Sequence, residues 1–158
     1  MAKPQTQQEN TLCLKRRFNA PRAQVFRAWT DPQALKQWFG PEGFTVSSAE
    51  IDLRINGAYR IVMYGPKGEQ CCHHGMYREI LPPEKLVFTW MLEGQPCEGS
   101  EKRSTETLVT VEFHDHGGST EVVLTHEFLP DPKSRDGHHF GWSGSFDRLG
   151  RFLIERQG

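Results

Sequence analysis

The sequence predicts an α+β domain with one antiparallel sheet and a long C-terminal helix. Three observations predict it. After Gly43 the hydrophobic period changes from about 3.6 to 2, the change from helix to strand. The links between the strands that follow are too short for a crossover, so neighbouring strands run antiparallel. A single helical stripe then occupies the last twenty or so residues, roughly.

Each element follows in order. Residues 1–10, Met-Ala-Lys-Pro-Gln-Thr-Gln-Gln-Glu-Asn, have no apolar period and read as a disordered tail ahead of one domain over residues 11–158. Thr11 to Phe18 is a strand with Leu12, Leu14, Arg16 and Phe18 on one face. Asn19-Ala-Pro21 opens a helix, and Thr30-Asp31-Pro32 closes it and caps a second. Phe44 to Leu53 is a strand, and Asn56-Gly57 is a tight turn. Strands follow over Ala58 to Tyr64, Glu69 to Leu81 and Lys85 to Glu93; in the last, Leu86, Phe88 and Trp90 alternate with Val87, Thr89 and Met91. Gly94 to Ser104 reads as a loop, and Thr105 to His114 and Ser119 to Leu129 as a final hairpin. Asp136 caps a helix from about His138 to Arg156, with Trp142, Ser145, Phe146, Leu149, Phe152 and Leu153 as its stripe.

Composition excludes several function classes. Lys and Arg number 19 against 20 Asp and Glu, a net charge of −1, which leaves no electrostatic footprint for nucleic acid or an anionic membrane. No stretch approaches the roughly 18 apolar residues of a membrane span. Ten Phe and four Trp demand a packed core. Cysteines at 13, 71, 72 and 97 fit no disulfide framework, and the polar N-terminus carries no secretory signal, so the expectation is a cytoplasmic protein with reduced thiols.

Three segments carry a resemblance. Ala20-Pro-Arg-Ala-Gln-Val-Phe-Arg-Ala-Trp-Thr-Asp-Pro32 running on to Gln37-Trp-Phe-Gly-Pro41, then Pro82-Pro-Glu-Lys-Leu-Val-Phe-Thr-Trp90, then His138-x-x-Gly-Trp142 stand in this order. Together they resemble the activator of Hsp-ninety ATPase homologue 1-like family of the START-like (SRPBCC) superfamily, over about residues 11–155. The resemblance implies the helix-grip fold. In it a curved antiparallel sheet wraps around the long C-terminal helix, two short helices close one end, and a deep cavity lies between sheet and helix. The superfamily holds carriers, receptors, cyclases and resistance proteins, so the fold alone does not choose a function.

Strand and helix periods assign side chains to that cavity. From the sheet come Tyr59, Ile61, Met63, Phe88, Trp90, Val111 and Phe113, together with Leu86, Val109, Leu124 and Phe128. From the helices come Trp38, Phe39, Trp142, Phe146 and Leu149. His138 shares a helix face with Trp142 four residues on, and His126 shares a strand face with Leu124 and Phe128; either is a candidate hydrogen-bond donor or proton acceptor. Gly141 and Gly144 inside the last helix signal close packing or room for a ligand. The run Cys71-Cys-His-His74 suggests a metal, but alternation on a strand sends Cys71 and His73 to one face and Cys72 and His74 to the other. His114-Asp-His116 beside two glycines reads as a hairpin tip.

No phosphate-binding loop, nucleophile elbow or zinc-protease motif occurs, so no catalytic residue, metal or cofactor is assigned. The first reading is a non-catalytic binding protein whose partner is a small hydrophobic molecule, with Tyr59 and His138 as polar contacts. A cyclase- or hydrolase-type enzyme using the same cavity is the alternative, and a co-chaperone-like interaction module is the third. The ligand's identity and a homodimer stay open.

Overall fold

The computed structural model describes residues 11–93, 106–129 and 132–157. The tail expected over 1–10 and the loop expected over 94–104 lie outside those residues.

The elements are β1 (Leu12–Phe18), α1 (Arg22–Thr30), α2 (Pro32–Trp38), β2 (Thr45–Ile51), β3 (Ala58–Tyr64), β4 (Gln70–Leu81), β5 (Lys85–Glu93), β6 (Thr107–Asp115), β7 (Thr120–Glu127) and α3 (Pro132–Gln157). The seven strands form one sheet in the order β1-β7-β6-β5-β4-β3-β2, and every pairing is antiparallel. The first strand thus closes on the last, and the meander from β2 to β7 fills the sheet between its two edges.

Two register shifts bend the sheet, one between Val46 and Ser48 in β2 and one between Tyr77 and Glu79 in β4. Beside the second, β4 comes unusually close to β5. A Cβ on Gly75 would lie 2.1 Å from the Thr89 carbonyl oxygen, so only glycine fits there. The concave face carries the predicted alternation: Tyr59, Ile61, Met63, Leu86, Phe88, Trp90, Val109, Val111, Phe113 and Leu124 are all buried. Phe128 departs from it. It lies past the end of β7 with φ 69° and stays half exposed, because the chain turns away before the next inward position.

The short helices start and stop as their prolines require. Pro21 immediately precedes α1, and the Asp31 side chain accepts from the Gln33 backbone N–H at the start of α2. Thr120 Oγ1 donates to the Ala20 carbonyl at 2.7 Å and ties the entry of α1 to β7. The long helix begins six residues earlier than its stripe suggested, at Pro132 rather than His138, and spans 26 residues. Proline at a first helical position loses no hydrogen bond, and the turn it adds carries Gly137 across a position read as connection. Arg16, on the apolar face of β1, meets Asp147 of α3 at 2.8 Å and lies over the Phe146 ring.

Candidate functional site

Near the N-terminal half of α3, between sheet and helix, lies a cavity of about 70 Å³. Met63 of β3, His73 of β4 and Trp90 of β5 form its sheet wall. Gly137, His138, Gly141, Trp142 and Ser145 of α3 form the opposite wall, with Phe140 at the rim. The loop from Phe39 to Phe44, after α2, forms the third.

That loop is fastened to α3 by backbone contacts. Arg148 Nη1 donates to the carbonyls of Phe39, Gly40, Pro41 and Phe44 at 2.9–3.3 Å. Ser145 Oγ accepts from the Gly40 N–H at 2.9 Å and donates to the Gly141 carbonyl at 3.0 Å. Arg151 pairs with Glu42. The two helix glycines divide between the two readings open to them. A Cβ on Gly144 would lie 3.1 Å from Pro41 Cα, so its absence lets the loop close. A Cβ on Gly141 would meet nothing within 4 Å, so its absence leaves space in the cavity wall.

Two buried histidines, His73 and His126, the half-buried His138 and two tryptophans cluster at this space. An indole N–H only donates, and that fixes the histidine tautomers. Trp142 Nε1 donates to His126 Nδ1 at 3.1 Å. His126 Nε2 therefore carries its proton and donates to Thr107 Oγ1 at 2.7 Å, and Thr107 donates onward to the Trp90 carbonyl at 3.0 Å. Trp90 Nε1 donates to His138 Nε2 at 3.2 Å, so His138 Nδ1 donates to the Ser134 carbonyl at 2.8 Å. His73 stacks on Trp90 with ring centroids 4.5 Å apart and an interplanar angle of 25°. Its Nδ1 is buried and has no hydrogen-bond partner among the described residues.

Burial lowers the pKa of all three rings. It pulls His73 down to about 3, helped by His138 and then His74. It holds His126 well below the usual value, with His138 and His73 adding to it. It lowers His138 too, against the opposing pull of the Ser134 hydrogen bond.

The structure distributes the predicted site residues over three places. Phe39, Met63, Trp90, His138 and Trp142 line the cavity. Tyr59, Ile61 and Phe88 line a deeper void of about 20 Å³, which Phe39, Trp90 and Trp142 also border. Trp38, Val111, Phe113, Phe146 and Leu149 are at most 1% exposed and pack in the core, away from both spaces. His126 is also fully buried and reaches the cavity only through its contacts with Trp142 and Trp90. The deep cavity implied by the resemblance is corrected to these two spaces, because stacked and edge-on aromatic rings occupy the grip. Trp29 alone contacts the rings of Trp38, Phe113, Trp142 and Phe146.

Sequence reasoning missed His73 as a cavity residue. It separated Cys71 and His73 from Cys72 and His74, and the register agrees: Cys71 faces Met63 and His73 faces Ile61, both inward positions. The missed step was to ask what an inward histidine would meet. It also missed the loop residues Gly40, Pro41 and Phe44, which carry no period to read. Cys71 is disulfide-bonded, which corrects the expectation of reduced thiols at that position. No described helix is long and apolar enough to cross a membrane.

Comparison with known proteins agrees with this architecture. A family model described as activator of Hsp90 ATPase homolog 1-like protein matches residues 19–153. A crystal structure of a protein from Chromobacterium violaceum is similar at 28% identity and a TM-score of 0.79, over 91% of this chain and 96% of that one. The AHSA1 protein from Silicibacter pomeroyi is similar at 27% identity and a TM-score of 0.78, over 92% and 99%. A comparison with curated proteins finds no match.

Proposed function

This chain belongs to the activator of Hsp90 ATPase homolog 1-like family, and from that premise we propose that it binds a small hydrophobic molecule without transforming it. The observation that carries this reading is the cavity between β3–β5, the Phe39–Phe44 loop and α3, walled mainly by aromatic rings and by Gly141, where a Cβ would meet nothing. Small-molecule sites are mostly apolar with a few fixed polar groups. Volume sets the ligand's scale. About 70 Å³ exceeds the ~10–15 Å³ that one water needs and is about half the ~150 Å³ of an apolar cavity that takes up benzene. A ligand lying wholly inside is therefore smaller than a benzene ring, and a ring or chain would enter only in part, past the exposed rim residue Phe140.

The hydrogen bonds argue against proton transfer by the histidines that the sequence singled out. A general base needs a free lone pair facing its substrate. The basic nitrogens of His126 and His138 already accept the indole N–H groups of Trp142 and Trp90.

The test is a panel of single-ring aromatics and short acyl compounds, read by melting temperature and tryptophan emission. A ligand at a hundredfold excess over its Kd stabilises the fold by about 2.7 kcal/mol. Hits should shift both signals in the native chain and in Lys67→Ala, on the distal β3–β4 turn. A panel at millimolar concentration that moves neither signal refutes the binding reading and favours the interaction module.

A further inference from the structure

The cavity has an aromatic lining but not the volume of an aromatic ring: about 70 Å³, against the ~150 Å³ of an apolar cavity that takes up benzene. A ring lies wholly inside only if one wall moves. Strands β3–β5 are laddered to one another, and α3 carries its own backbone bonds, so neither wall moves without breaking many bonds at once. The Phe39–Phe44 loop is held differently. It turns at two glycines of positive φ, Gly40 at 97° and Gly43 at 91°. Side chains of α3 fasten it, Arg148 on four of its carbonyls and Ser145 on the Gly40 N–H. The Arg151–Glu42 pair adds little, since its side chains are 59% and 60% exposed. The four carbonyls share a single nitrogen, Nη1, which has two protons to offer. Oxygens that converge on one point repel one another, so the closed loop depends on the positive charge set among them.

We propose that Arg148 sets the size of ligand this site admits. With its guanidinium among the four carbonyls the loop is closed and the site excludes a ring; when it withdraws, the loop swings on Gly40 and Gly43 and a single uncharged ring enters whole. This rests on the binding reading above and names the residue that governs its selectivity. A benzene-sized ligand then binds only the open form, and its apparent affinity is the intrinsic affinity reduced by the fraction of chains that are open. A ligand small enough for the closed cavity meets no such reduction. Gly144 serves the same closure. A Cβ there would press on Pro41 Cα at 3.1 Å and prise the loop from the helix.

The experiment titrates the native chain, Arg148→Met and Gly144→Ala with benzene and with xenon, a single atom, following the indole N–H resonances of Trp90 and Trp142. The native chain should bind xenon, and benzene only weakly. Arg148→Met should bind benzene roughly 10-fold more tightly than the native chain, the factor of one hydrogen bond to a charged group, with no gain for xenon. Gly144→Ala should raise benzene affinity by a different cause, which keeps the test if Arg148→Met folds poorly. Gly141→Leu, which fills the cavity, should abolish binding of both. Thr120→Val removes a buried bond that ties α1 to β7, not the loop to α3, and should lower stability without any gain in benzene affinity. Benzene affinity unchanged in both Arg148→Met and Gly144→Ala, or raised as much in Thr120→Val, overturns the size gate; xenon binding in the native chain then leaves the binding reading standing. If neither xenon nor benzene moves the indole resonances in any of these chains, the binding reading fails as well.

Discussion

Phe146, Leu149 and Leu153 of α3 are at most 1% exposed and line neither of the two spaces, and the Phe18 ring meets Phe146 edge-on at 5.7 Å. Little more than a turn earlier on the same helix, Gly141 faces open space, and the neighbouring rings are histidines and tryptophans joined by hydrogen bonds. The sheet and the helix are the same in both places. What differs is side-chain adaptability. Phenyl and aliphatic side chains hold no directional bonds and settle until the volume is filled. Indoles and imidazoles that are locked donor to acceptor cannot settle in that way. With glycine opposite them, a gap persists. The larger space thus lies where polar rings are held rigid opposite a helix position without a side chain, whereas Ile61, Leu86 and Phe88 close their part of the grip to a void of about 20 Å³.

Acid should break the comparison most visibly. Burial places the folded-state values of His73, His126 and His138 below the ~6.5 of an unfolded histidine. The unfolded chain therefore takes up protons first as pH falls. The stability these rings contribute is complete above about 6.5 and is lost toward their folded values, about 3 for His73. Each ring should cost up to about 1.4 kcal/mol per pH unit within that window. Urea unfolding from pH 7.5 to 4.5 should show a steep decline, reduced in His73→Phe. A profile flat from 6.5 to 5 would show that the histidine half is open to solvent.

In the packed half the largest single effect is expected from Phe146→Ala. Its ring is fully buried, so its removal should cost about 3–5 kcal/mol, read as a lower denaturant midpoint with an unchanged slope. A loss below about 1 kcal/mol would mean that this half is loosely packed as well.

The smallest effects separate the two glycines. Gly144→Ala forces a methyl toward Pro41, and the strain should outweigh the helix-propensity gain of about 1 kcal/mol. Gly141→Ala meets nothing and should stabilise the fold by about that propensity gain, or roughly 2–4 °C in Tm. Destabilisation by Gly141→Ala equal to that of Gly144→Ala would erase the distinction between the two halves.

Much of this protein was legible from local pattern. The alternation of Leu86, Phe88 and Trp90 identified the concave face, and short links between strands made the sheet antiparallel, because both follow from backbone geometry over a few residues. Pro21, Asp31 and Pro32 marked the short helices for the same reason. The start of α3 escaped, since Gly137 weakens the helical signal and the polar residues from Pro132 to Asp136 carry no apolar stripe. The site was less legible still. Alternation turned His73 inward, but whether an inward ring packs, bonds or lines a space depends on partners far along the chain. Trp142 reaches His126 across 16 positions, Trp90 reaches His138 across 48, and Arg148 reaches the Phe39 carbonyl across 109. Sequence determined which faces are apolar, because that is a periodic and local property. Tertiary structure alone decided which apolar residues fill the grip and which enclose a space, because packing is settled by the shapes of side chains that only the completed fold brings together.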